Sequence, residues 1–245
     1  MSLNRLEAIA FRIVRQFVRD RRTLALIFVV PIVLMTLISL SFPSSIGTGI
    51  LSYTAPALLA VLAVFFGFIL TGVSFLRERS QGTLERLKAS PISRGELALG
   101  YLLGFLLFAM VQSIIILLFT IYALHIQYRG DLWQIFIMQI ISTVGAVNLG
   151  IFISTYARNE FQVVQFIPLF ILPQVFLSGV LWPVEQMPGY LQWVSKFLPL
   201  TYAIRGLREV MLQGASLLNI PFDLGILCAF AIAASIGAIF TLRKR

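Results

Sequence analysis

Few side chains in this sequence could carry out covalent or metal chemistry, and none stands beside the partners such chemistry needs. One histidine, His125, and one cysteine, Cys228, occur in 245 residues. Paired histidines on a helix, a multi-cysteine metal site and an intramolecular disulfide are therefore excluded within one chain. A nucleotide-hydrolysing loop of the form Gly-x-x-x-x-Gly-Lys-Ser/Thr holds phosphates with backbone amides and a lysine. The lysines are Lys88, Lys196 and Lys244, and none has that context. The ten acidic residues all fall outside the long apolar runs, so intramembrane acid–base and proton-relay chemistry lacks its usual groups. No catalytic residue and no metal ligand is assigned.

The apolar runs do contain uncharged polarity. Gln139, Ser142 and Thr143 share one helical patch, and Gln162 and Gln165 form a second. In a bilayer such groups face other helices, so these residues mark either helix packing or the lining of a translocation pathway. Gly100-x-x-x-Gly104 and Gly150-x-x-x-Ser154 permit close helix approach.

The elements that hold these residues follow from composition. With 59% hydrophobic and 12% charged residues, the chain has more apolar surface than a soluble globule of this size can bury. Its net charge of +9 sits at the ends of apolar runs and not in a stripe of its own, which argues for topology signals and against nucleic acid. A span of about 30 Å needs roughly 20 apolar residues. Six runs qualify, at 23–42, 51–76, 97–124, 132–157, 161–182 and 224–242. With both termini on one side, that side holds 15 Lys and Arg residues against four on the other, so both termini are expected in the cytoplasm. No cleavable signal peptide is expected, because eighteen amphipathic residues precede the first run.

Three segments are not spans. Residues 1–22 are expected to hold an amphipathic interfacial helix, with Arg5, Arg12, Arg15 and Arg19 on the face that meets lipid phosphates and Leu6, Ile9, Ile13 and Phe17 on the other. The loop 77–96 is the longest charged stretch, and Thr83 to Lys88 can form a short helix before Pro91. Ser93 can cap the next helix in a capping box with Glu96. The region 183–221 is too broken by proline for a span and too aromatic for a solvated loop, which suits re-entrant or interfacial helices.

Two of these segments resemble a known family. Glu78-Arg79-Ser80-Gln81-Gly82-Thr83-Leu84-Glu85-Arg86-Leu87, followed by Ser90-Pro91-Ile92-Ser93-Arg94-Gly95-Glu96 and Gly100, resembles the cytoplasmic signature of type-2 ATP-binding-cassette (ABC) exporter permeases. Phe176-Leu177-Ser178-Gly179-Val180-Leu181-Trp182-Pro183 and the stretch through Arg208 resemble its extracellular paired short helices. The resemblance implies a coupling helix seated in a groove of a cytosolic ATPase, with Glu78, Arg79, Gly82, Thr83, Leu84, Glu85, Arg86 and Leu87 as the coupling residues. Many members carry Gly-Lys where this chain has Gly100-Tyr101, so the lysine's role does not carry over.

The fold expected is all-α integral membrane: an N-terminal interfacial helix (1–22), then one six-span domain (23–245) with a coupling helix and extracellular re-entrant helices between spans five and six. The function implied is ATP-driven export of an amphipathic, lipid-linked or drug-like substrate by the permease subunit of an ABC exporter in a bacterial inner membrane. That subunit is not itself an enzyme. It holds no cofactor, ATP and Mg being bound by two copies of a separate ATPase. A second permease, identical or paralogous, and membrane lipids complete the partners, and nucleic acid is not among them. An intramembrane lipid-modifying enzyme and a passive channel are the alternatives.

Overall fold

A computed structural model describes residues 3–41, 44–83 and 92–244, and these are helical with no strand among them. The coupling residues Leu84, Glu85, Arg86 and Leu87 lie outside the described residues. Helix α1 (Leu3–Arg19) is followed by α2 (Arg21–Ser41), α3 (Ser44–Ser80), α4 (Arg94–Leu118), α5 (Leu132–Ser154) and α6 (Glu160–Leu177). Two short helices, α7 (Gly189–Ser195) and α8 (Pro199–Arg208), precede α9 (Pro221–Lys244). Six stretches are long and apolar enough to cross a membrane: Arg21–Ser41, Leu51–Ser80, Gly95–Ala123, Leu132–Ser154, Glu160–Leu177 and Pro221–Thr241. They coincide with the six apolar runs of the sequence.

Helix α1 buries Leu6, Ile9, Ala10, Ile13 and Phe17, the apolar face expected from its period, against α4. The approach is close because α4 offers glycine. A Cβ on Gly100 would stand 2.7 Å from the Ile9 Cβ, and one on Gly104 would stand 2.8 Å from the Ile13 Cβ. Phe17 then stacks on Phe108 with ring centroids 4.8 Å apart. Helices α3 and α5 form the bundle's centre, and here too a glycine sets the distance. A Cβ on Gly150 would meet the Phe68 carbonyl oxygen at 2.7 Å.

Polar side chains within the spans mostly bond to their own helix. Thr71, Thr120, Ser142, Thr143 and Ser235 each donate to the carbonyl four residues earlier, which satisfies the hydroxyl without a partner helix. Asn148 reaches across from α5, donating to Ser235 Oγ of α9 at 2.8 Å.

Between α6 and α9 no helix is long and apolar enough to cross a membrane. Gly179, at φ +83°, turns it back after α6, and Pro199 opens α8 with a φ already suited to a helix. Helix α8 buries Leu200, Ala203, Ile204 and Leu207 among α3, α5 and α9. This segment belongs to the bundle's packing. It ends in a π-helical turn, Glu209–Gln213, closed by Gly214 at φ +71°.

Candidate functional site

The last turn of α3 carries Arg77, Glu78 and Arg79 in succession. Consecutive helical residues point about 100° apart, so each faces a different neighbour. Arg77 reaches α6: its Nε donates to Glu160 Oε1 at 2.6 Å and its Nη2 to Glu160 Oε2 at 3.0 Å, a bidentate pair at the helix N-terminus. Its Nη1 also stands 3.8 Å from Asp20 Oδ2. Asp20 caps the junction of α1 and α2, where its carboxylate accepts from Thr23 N at 3.1 Å and Thr23 Oγ1 at 2.5 Å. Those two bonds hold the Asp20 carboxyl below the usual carboxylate range, with Arg77 adding to the effect.

Glu78 reaches α1 and α4. Its Oε2 accepts from Arg12 Nη2 at 2.6 Å and from the Tyr101 hydroxyl at 2.7 Å, and Arg12 Nη2 also donates to the Tyr101 oxygen at 2.8 Å. Glu78 and Tyr101 are buried, and the Arg12 guanidinium lies 5.7 Å from the tyrosine ring centroid. Burial opposes the Arg12 charge, but hydrogen bonding to Glu78 and the neighbouring Tyr101 more than offset it and raise its pKa above the ordinary value. The tyrosine that stands where many members of the resembled family have lysine thus supplies a donor to the carboxylate. Arg12 supplies the positive charge.

Arg79 reaches α5. Its Nη1 donates to the Thr155 carbonyl at 2.8 Å and more loosely to that of Ser154, a cation at a helix C-terminus where carbonyl groups lack intrahelical partners. Gly82, at φ +69°, then closes the α3 turn, its N–H meeting the Arg79 carbonyl at 3.2 Å. The chain re-enters the described region at Ile92. Ser93 and Glu96 make the expected capping box, Glu96 N donating to Ser93 Oγ and Ser93 N to Glu96 Oε2. Arg5 of α1 stands 3.7 Å from that same Glu96 oxygen.

The flank before the segment 84–91 is thus tied to α1, α4, α5 and α6, and the flank after it, the start of α4, is tied to α1. Of the coupling residues named from sequence, Glu78 and Arg79 are two of the ties, Gly82 is the turn, and Thr83 follows it. Of the N-terminal arginines, Arg5 and Arg12 join this cluster, while Arg15 and Arg19 face outward. Gln139, Ser142 and Thr143 are buried between helices of one chain, with Ser113 and Thr143 hydroxyls 3.5 Å apart. Gln162 accepts from the Arg158 backbone N–H, and Gln165 is exposed on α6. Sequence reading passed over Arg77, Tyr101, Asp20 and Glu160. The available signal was charge placed at helix ends, but pairings across 23 to 89 positions leave no local pattern.

The model of the ABC-2 type transporter family matches residues 4–212 of this chain. The probable multidrug ABC transporter permease YbhS of Escherichia coli K12 is 29% identical over 185 residues, covering 75% of this chain and 48% of that protein. The linearmycin resistance permease protein LnrN of Bacillus subtilis is 29% identical over 184 residues, again 75% of this chain and 48% of the relative. ABC transporter G family member 20 of Dictyostelium discoideum is 29% identical over 167 residues, 68% of this chain and 23% of that protein. The chain therefore spans about half the length, or less, of these relatives. The match over most of the chain, together with the six membrane-length helices, shows that it belongs to the ABC-2 type transporter family, whose matched relatives are ABC transporter permeases.

Proposed function

We propose that this chain is the membrane-spanning permease subunit of an ATP-driven exporter that moves an amphipathic, lipid-linked or drug-like substrate out of the cytoplasm. The cluster at the end of α3 carries the proposal. A segment that joins α4 to the end of α3, itself pinned to α1, α4, α5 and α6, is placed to pass a displacement to those helices, which suits a contact driven by a separate machine. Residues 83–88 are the coupling helix in this reading. ATP and Mg are held by two copies of a cytosolic ATPase, whose closure biases the permease between two states through its different contacts with each. The relatives' names, a multidrug permease and a linearmycin resistance permease, support export of an amphipathic compound.

Helix α1 lies in the membrane interface in this proposal. One face is taken by α4, while Leu3, Phe11 and Val18 remain exposed beside Arg15 and Arg19, apolar groups for the acyl boundary next to cations for lipid phosphates. Both termini are cytoplasmic in a bacterial inner membrane, and α7 and α8 re-enter from the far side. Two permeases, identical or paralogous, form the pathway. Exposed apolar faces on α2 and α6, with Gln165 among them, supply surface for that pairing. The test is reconstitution in proteoliposomes with an ABC ATPase that co-purifies with this chain. ATP-dependent movement of a fluorescent amphipathic drug supports export, and ATP-independent movement at the same rate would return the reading to a passive channel.

A further inference from the structure

At the N-terminal end of α3, some 25 residues and about 37 Å of helix away from Glu78, the turn after α6, the short helices and α8 line an open cleft of about 450 Å³. Its walls carry Lys196, Arg205 and Arg208 together with Glu185 and Glu209. Arg205 is already neutralised: it forms an ion pair with Asp223, its Nε donating at 2.8 Å, and it lies over the Tyr202 ring.

Arg208 is not neutralised in that way. Its guanidinium stacks 4.0 Å over the Tyr53 ring, and Nε donates to the Tyr53 carbonyl at 3.3 Å. No carboxylate within the described residues lies within ion-pairing distance of it, and Nη2 is buried with no hydrogen-bond acceptor. Nη1 stands 3.6 Å from the point where a Cβ on Gly179 would sit, so glycine keeps one flank of the guanidinium open. A fixed planar fork with unmatched donors, beside a polar cleft, matches an oxyanion in shape and charge.

We propose that this cleft binds an oxyanion group, phosphate in the first instance, with Arg208 as its anchor and Lys196 at its rim. Burial pulls the Arg208 pKa below the ordinary arginine value against the weaker pull of Tyr53 and Glu185, a cost that a bound anion would relieve. The two wall carboxylates, Glu185 and Glu209, oppose an anion, and the arginine and lysine side chains of the same walls must outweigh them. Exposed Trp182, Tyr190, Trp193 and Phe197 around this end suit the headgroup zone of a bilayer. The phosphate could therefore belong to a lipid headgroup or to a water-soluble compound.

Calorimetric titration of the purified full chain in phosphate-free detergent solution, without ATPase or nucleotide, tests the site apart from the export reading. The probes are dioctanoyl phosphatidylglycerol, glycerol phosphate and dioctanoylglycerol. Saturable binding is expected for a phosphate-bearing probe and not for dioctanoylglycerol. Lipid binding without glycerol phosphate binding identifies a headgroup site, binding of both identifies a phosphate site open to soluble compounds, and either sustains the proposal. Arg208→Gln should weaken binding about tenfold or more, since charge-assisted bonds are lost. Lys196→Gln, at an exposed position, should weaken it about two- to fivefold. Equal affinity for dioctanoylglycerol, no binding of either phosphate probe, or unchanged affinity in folded Arg208→Gln overturns the proposal. Should the arginine variant not fold, unchanged affinity in Lys196→Gln overturns it.

Discussion

Arg12 and Glu78, 66 positions apart, meet at 2.6 Å, and Tyr101 closes the contact by bonding to both. Removing one member of such a group leaves the others desolvated without a partner, which costs more than the intact group contributes. Glu78→Met and Arg12→Met are each expected to lower stability by about 3 kcal/mol, the low end for a buried pair because the arginine side chain is 34% exposed. The double variant should be less destabilised than the sum of the two by about 1 to 3 kcal/mol. Chemical unfolding in mixed micelles measures all three, and strict additivity would show that the residues do not act together.

Helix α1 should be dislodged by any side chain placed at Gly100. Gly100→Val is expected to cost about 1 to 3 kcal/mol through overpacking against Ile9, and Ile9→Ala should restore part of the loss. Phe17→Asp should be more damaging, because the aspartate would enter the Phe105 and Phe108 contacts. Arg15→Lys, on the outward face, should be harmless. Trypsin cleavage after Arg12, rapid in the first and third variants and slow in the wild type, reports detachment. Equal protection in Phe17→Asp would contradict the packing described.

For coupling, Leu87→Asp is expected to release the ATPase or uncouple its hydrolysis while membrane insertion survives, since an apolar anchor outweighs rim charges. Glu85→Ala and Arg86→Ala should cost about 0 to 1 kcal/mol of binding. Bound ATPase and ATP-dependent transport are measured at equal permease content. Wild-type binding and transport in Leu87→Asp would reduce the loop to a connector.

Topology is testable in a Cys228→Ala background. A cysteine at Gly189, where a side chain meets open space, should react with an impermeant thiol reagent from outside intact cells. One at the exposed Ser80 should react only after permeabilisation. Labelling of both from outside would overturn the proposed orientation.

The spans were readable because hydropathy is a local property, so that 51–76 and 132–157 needed nothing from elsewhere in the chain. Helix ends were harder. Helix α3 continues to Ser80, and its last turn takes Glu78 into the interior, whereas the apolar run alone ended at Leu76. Asp223 is likewise buried inside α9 against Arg205, though it stands just before the apolar run. In both cases the compensating cation comes from another element, and only the fold brings it near. Arg12 illustrates the same limit. Helical periodicity placed it among the polar residues of α1, but not which carboxylate would face it. The capping box at Ser93 was legible because all its atoms lie within four residues.

The length of α3 has a mechanical consequence. A continuous helix of 37 residues is roughly 55 Å long, with Tyr53 under Arg208 near one end and Glu78 near the other. Tilted by about 5° on a fulcrum at its midpoint, it would carry each tip about 2 Å sideways, by the geometry of a rod of that length. Hydrogen bonds of 2.6 to 2.7 Å at Glu78 do not survive a displacement of that size. If the helix tilts as one body, the Glu78 contacts act as a latch: small tilts are resisted, and larger ones proceed only once those contacts have opened.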